Sequence, residues 1–107
     1  MGRTRRVDLC AVDDVAPGTM TMAWVDGTEP VLVANVEGAI RAVAGVCTHE
    51  YVELDAGFLA GRTVTCMLHL SRFDLVTGKP LDPPAYDALD VYPVTIADGR
   101  VLVDYPG

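Results

Sequence analysis

Both histidines of this 107-residue chain lie within three residues of a cysteine. Cys47-Thr48-His49 comes first, and Cys66-Met67-Leu68-His69 follows after a gap of sixteen residues. Each half offers one thiolate and one imidazole, a donor set that suits zinc or an iron–sulfur cluster. A lone histidine is most simply a satisfied core residue, but that does not account for two matched pairs. Structural zinc sites separate paired ligands by about two to four residues. The single residue inside Cys47-x-His49 is therefore tight for two ligands on one tetrahedral ion. A two-iron cluster with both cysteines on one iron and both histidines on the other relaxes the constraint, because neighbours in one loop then reach different metals. The spacing favours a histidine-ligated 2Fe–2S cluster, with a structural zinc site as the alternative.

The rest of the composition sets the frame. Three cysteines do not suggest a disulfide scaffold, and Cys10, in the apolar run of residues 7–12, is expected to be a buried small hydrophobe. Half of the residues are hydrophobic, enough for one core in one domain. Fifteen acidic against eight basic residues give a net charge of −7, which argues against nucleic acid and for a basic partner surface. Twin arginines at Arg5 and Arg6 are compatible with an export signal, but Asp8, Asp13 and Asp14 interrupt the apolar stretch such a signal needs. The amino terminus is therefore expected to be charged and mobile. No window approaches the roughly 18 apolar residues of a membrane span, and a cytoplasmic location is expected. Nothing suggests a catalytic nucleophile, a phosphate loop or a triad.

The elements that must position the cysteines and histidines are strands. Residues 19–25, 30–36 and 39–45 are apolar and strand-length, with Asp26-Gly27 and Glu37-Gly38 as hairpin turns between them. Residues 91–96 and 100–105 flank Ala97-Asp98-Gly99, the clearest hairpin. In the last strand Val101, Val103 and Tyr105 alternate with Arg100, Leu102 and Asp104, the period of a half-buried strand. Residues 46–89 differ: short strand candidates at 62–66 and 72–76 are set among Gly57, Gly61, Gly78, Pro80, Pro83 and Pro84. That pattern predicts a base of residues 1–45 and 90–107, a small antiparallel barrel or sandwich, with a loop-rich subdomain of residues 46–89 inserted into it.

The segment Cys47-Thr48-His49, Leu54, Gly57, Cys66-Met67-Leu68-His69, Arg72-Phe73-Asp74, Thr77-Gly78 and Pro83-Pro84-Ala85 resembles the Rieske ferredoxins of bacterial ring-hydroxylating dioxygenase systems. The likeness covers the central forty residues and leaves the aromatic substrate open; a carbazole dioxygenase ferredoxin is one candidate. The resemblance implies an all-β fold of three small antiparallel sheets, with a Rieske 2Fe–2S cluster at the tip of the inserted subdomain. Cys47 and Cys66 would bind the inner iron, His49 and His69 the outer one, and Pro83-Pro84 would belong to a loop covering a third side. High-potential relatives carry a second cysteine pair where this chain has Val52 and Leu68. They also carry a serine and a tyrosine where this chain has Ser71 and Phe73. One hydroxyl donor is kept and one lost, so a low potential is expected.

A carrier of this kind would take electrons from an NAD(P)H-dependent ferredoxin reductase and pass them to a terminal Rieske oxygenase, as a monomer with no substrate of its own. Tyr51, Val52, Leu68, Leu70 and Pro83 would form an apolar docking tip, ringed by Glu50, Glu53, Asp55 and Asp82. Such encounters use small interfaces, steered by charge. Two other readings are the small subunit of a nitrite-reductase-like assembly and a zinc-stabilised binding module.

Overall fold

Residues 31–36 read Val-Leu-Val-Ala-Asn-Val, an apolar run without alternation, and such a strand is stable only where both faces are covered. In the computed structural model, which describes residues 3–48, 51–67, 70–82 and 87–106, the fold meets that requirement. Strand β3 (Glu29–Val36) lies within an antiparallel sheet with β2 (Met20–Val25), β4 (Ala39–Ala44) and β8 (Val91–Tyr92), in the order β2-β3-β4-β8. Its residues 31–36 are all buried.

On one face Val31, Val33, Val25 and Ala42 pack toward a second sheet. That sheet consists of β1 (Thr4–Ala11), β10 (Arg100–Pro106) and β9 (Val94–Ala97), ordered β1-β10-β9, and contributes Val101 and Val103. On the opposite face Leu32, Ala34, Val36 and Val43 join Leu54, Val64, Phe73, Leu75 and Leu89, together with Cys47 and Cys66, in one buried cluster. The third sheet, β5 (Phe58–Ala60), β6 (Thr63–Thr65) and β7 (Arg72–Asp74), covers this side. Burying an aliphatic side chain contributes about 1.5–3 kcal/mol, whereas an exposed ion pair contributes about 0.2–1 kcal/mol. The doubly covered strand therefore outweighs surface pairs such as Arg100–Asp8 (3.0 Å). The buried polar residue on β3, Asn35, is satisfied: its amide donates to the Val15 carbonyl (2.9 Å) and its oxygen accepts from Gly38 N–H (2.7 Å).

All three expected turns are present. Asp26-Gly27, Glu37-Gly38 and Asp98-Gly99 have φ of 54° and 75°, 54° and 97°, and 52° and 73°, the paired positive values that match a turn to the twist of its flanking strands. Several expectations are corrected. Residues 4–11 are a strand rather than a mobile terminus: Arg6 lies opposite Asp104 and pairs with it (3.6 Å), and Val7 faces Val103. A bulge between Asp8 and Cys10 breaks the period, and Cys10 is half-buried rather than buried. The strand expected over residues 91–96 is divided at Pro93, which lacks an N–H to continue a ladder; the first part pairs with β4 and the second with β10. The strands expected at 62–66 and 72–76 shorten to Thr63–Thr65 and Arg72–Asp74, and β5 was not anticipated. No helix among the described residues is long and apolar enough to cross a membrane.

Gly57 fixes how the third sheet meets the segment before it. A β-carbon there would stand 1.8 Å from the Thr65 carbonyl oxygen, one residue before Cys66. Gly57→Ala is expected to destabilise the fold by about 1–3 kcal/mol through overpacking, measured as a lower urea midpoint; an unchanged midpoint would show that the two backbones need not approach so closely.

Candidate metal centre

Each of Cys47 and Cys66 opens a six-residue loop, and the two loops close in the same way. Val46 pairs with Glu53 across the first, and Thr65 pairs with Arg72 across the second. Within each, the cysteine N–H donates to the carbonyl five residues on: Cys47 to Val52 (3.0 Å) and Cys66 to Ser71 (2.8 Å). Cys47 and Val52 thus correspond to Cys66 and Ser71, and the two cysteines are 5 % and 0 % exposed in one apolar cluster. The fourth residue after each cysteine, Tyr51 in one loop and Leu70 in the other, is exposed (75 % and 59 %). Leu70 has a φ of 54°, a left-handed conformation that costs an ordinary L-residue about 1–2 kcal/mol. At the fifth position Ser71 is buried and Val52 packs inward on the core. Val52 is therefore removed from the expected exposed tip. His49, Glu50, Leu68 and His69 lie outside the described residues.

A third segment is tied to both loops. Beyond β7 the Asp74 carboxylate accepts from Val76 N–H (2.7 Å) and Thr77 N–H (3.1 Å) and pairs with Arg62 (2.7 Å). Burial pushes the Asp74 pKa up, but the Arg62 hydrogen bond and the two amides outweigh it and hold the carboxyl below its ordinary value. Gly78, at φ 77°, completes the reversal with its N–H on the Asp74 carbonyl (2.7 Å). The chain then runs back along β7: Pro80 bridges to Phe73, and Leu81 N–H donates to the Arg72 carbonyl (2.7 Å). Arg72 grips Asp82 through Nε (2.6 Å) and a terminal nitrogen (3.1 Å), and its hydrogen bond holds the Asp82 carboxyl below the usual range. After residues 83–86, which include Pro83 and Pro84 and lie outside the described residues, the carbonyl of Asp87 accepts from the Thr48 hydroxyl (2.8 Å). Asp82 is thus anchored to β7, directly after the second cysteine loop, and Asp87 to the first loop.

Sequence reasoning missed Arg72 and Thr48 as clamps, and also Met67 and Leu81, each 47 % exposed. Met67 was open to inference as the neighbour of Cys66; Leu81 was not, because its place depends on the turn at Asp74. Of the expected acidic ring, Asp55 is exposed, Glu53 is half-buried, and Asp82 is committed to Arg72.

The donor chemistry fits a cluster with cysteine ligands. Two cysteines stand at matching positions in one apolar wall. The described residues hold no rival group of three or more His, Cys, Asp or Glu able to take a metal ion.

Comparison with known proteins agrees with this chemistry. The family model described as the Rieske [2Fe-2S] domain matches residues 5–93. The ferredoxin component of the naphthalene 1,2-dioxygenase/salicylate 5-hydroxylase systems of Ralstonia sp. is 38% identical over 97 residues, covering 91% of this chain and 92% of that protein. Among solved structures, a ferredoxin from Sphingomonas yanoikuyae B1 superposes with a TM-score of 0.90 at 31% identity, covering 95% of this chain and all of that one. A chain in a complex of reduced oxygenase and oxidised ferredoxin of carbazole 1,9a-dioxygenase superposes at 0.86 with 31% identity, covering 92% of each. With the two buried cysteines, the paired loops and the three-sheet fold in agreement, the chain belongs to the Rieske [2Fe-2S] domain family, and its cofactor is a 2Fe–2S cluster of the Rieske type.

Proposed function

We propose that this protein is a one-electron carrier that takes electrons from an NAD(P)H-dependent ferredoxin reductase and delivers them to a terminal Rieske oxygenase. The observation that carries the reading is the equivalence of the two cysteine loops, each closed by an amide-to-carbonyl bond over one apolar cluster. Cys47 and Cys66 are the proposed ligands of one iron, and His49 and His69 of the other. When bound, the cluster supplies a reversible one-electron site whose potential depends on hydrogen bonding and exposure. The chain's own residues hold and shield that site. The apolar wall of Leu54, Val64 and Phe73 keeps water from the thiolate side, and the Arg72–Asp82 and Thr48–Asp87 contacts set the ends of the proline segment. Tyr51, Leu70, Met67 and Leu81 give the loop region an exposed apolar surface suited to brief docking. Residues 46–89 form the proposed cluster-bearing subdomain, and the carrier is read as a cytoplasmic monomer. Relatives matched over nine tenths of their own length are named as ferredoxin components, which favours a separate carrier over the small subunit of a larger oxidoreductase. The aromatic substrate belongs to the oxygenase.

Three outcomes are expected. Purified protein should be coloured and, after dithionite reduction, give a rhombic EPR signal at a lower average g than all-cysteine clusters. A colourless protein with tightly held zinc, from iron-replete cells, would overturn the reading. The potential should be low, since Phe73 offers no hydroxyl, and Ser71→Ala should lower it further. Loss of one hydrogen bond of about 1 kcal/mol corresponds to about 40 mV for one electron; an unmoved midpoint would show that the buried Ser71 hydroxyl serves only the backbone. Arg72→Ala, which frees Asp82, should shorten the lifetime of the bound cluster in air, followed as loss of visible absorbance. Arg100→Ala, which breaks the remote pair with Asp8, should not. Equal lifetimes in the two variants would remove the clamp role.

A further inference from the structure

Beside the first cysteine loop, at the open end of the two base sheets, lies a cavity of about 580 Å³. Its wall carries three aromatic rings: Tyr51 from the loop, Tyr92 from β8 and Tyr105 from β10. Tyr92 and Tyr105 stack at a tilt of 44° with centroids 5.1 Å apart. Desolvation, then the neighbouring Tyr105 and Asp90, push the Tyr92 phenol up to about 12, so it is neutral at any physiological pH. Two exposed carboxylates, Glu29 and Asp90, contribute to the polar part, and among the described residues no lysine or arginine lines the space. Arg5, the cation close enough to act on Tyr105, is paired with Asp26.

Rings and carboxylates without a resident cation form an environment for a cationic group. A guanidinium or ammonium gains from an aromatic face and from a carboxylate at once, and a planar guanidinium uses both best. The position of Tyr51 says what would carry that group: it sits four residues after Cys47, so anything seated in the cavity touches the loop that bears a proposed iron ligand. The net charge of −7 selects a basic partner. We infer that this cavity receives an arginine side chain of the redox partner, beside the first cysteine loop and outside the apolar surface around Leu70 and Leu81. The inference rests on the electron-carrier reading and adds a specific anchor to it.

A neutral isostere separates charge from shape. Oxidised holoprotein is titrated with N-acetylarginine methylamide and, separately, with N-acetylcitrulline methylamide, while the ring resonances of selectively labelled tyrosines are followed by NMR. Saturable shifts of Tyr92 and Tyr105 with the arginine compound alone, abolished in the Glu29→Gln/Asp90→Asn variant, are expected. Equal shifts with both compounds, or none with either, would overturn the site. The same variant should raise the KM of an NADH-dependent ferredoxin reductase for the holoprotein by about fivefold, within the range of two peripheral charges, with kcat, EPR spectrum and midpoint potential unchanged. Arginine-specific shifts with an unchanged KM would overturn partner docking, and leave free cations or the arginines of a second copy, which concentration-dependent sedimentation would reveal. If wild-type protein passes no electrons from any reductase, the carrier reading fails, while the titration still decides the cavity.

Discussion

A loop that reverses within six residues must satisfy its own backbone or leave polar groups stranded against an apolar wall, where each costs about 1–3 kcal/mol. In this protein the two amide-to-carbonyl bonds, Cys47 to Val52 and Cys66 to Ser71, meet that demand. They let a thiol be buried while Tyr51 and Leu70, four residues on, stay exposed. Everything near the centre follows from them. The flanking pairs Val46–Glu53 and Thr65–Arg72 bring each loop to closure, and the cluster of Leu32, Leu54, Val64 and Phe73 provides the wall. Without the closure, Cys47 and Cys66 would be two buried hydrophobes far apart in sequence; with it they are two donors presented in the same way.

The hierarchy of forces explains the division of labour between sheets. Strand β3, covered on both faces, is the common wall between the base and the cysteine loops. Hydrophobic burial holds that wall, and it is indifferent to direction. Direction comes from polar contacts at the periphery: Arg62 and two amides on Asp74, Arg72 on Asp82, Thr48 on Asp87. Exposed pairs add little to global stability, but they aim a segment that the apolar core cannot aim. The same reasoning applies to the cavity at the first loop. Tyr92 and Tyr105 close the open end of the base sheets, and among the described residues no lysine or arginine lines the space beside the carboxylates.

What was legible in the sequence was what depends on local chemistry. The Cys-x-His and Cys-x-x-His spacing, the apolar run of β3 and the Asp-Gly and Glu-Gly turns each carry their own cause, and the strands and turns stand where that cause places them. The paired closure of the loops was not legible, because Val52 and Ser71 act there through carbonyls that every residue type possesses. The strand at residues 4–11 was hidden for a different reason. Its arginines answer acids from other parts of the chain, Asp26 and Asp104, and a bulge at Asp8–Cys10 erases the period of two. Val91–Tyr92 and Val94–Ala97 show a third kind of limit: Pro93 was visible, but which sheet each half would join depends on partners remote in sequence.

The position of Tyr51 and Leu70 shows why the two loops, though closed in the same way, differ in use. Both occupy the fourth place after a cysteine and both are exposed. Leu70 is held at a positive φ that an unbranched glycine would adopt freely, so its side chain is presented at a conformational cost, as expected of a residue that serves a surface rather than the fold. Tyr51 instead shares a cavity with Tyr92, Tyr105, Glu29 and Asp90. One loop therefore offers a bare apolar contact and the other an aromatic and acidic recess. A carrier that meets a donor and an acceptor in turn needs fast release from both, and an apolar contact tempered by a screened charge contact keeps each encounter short.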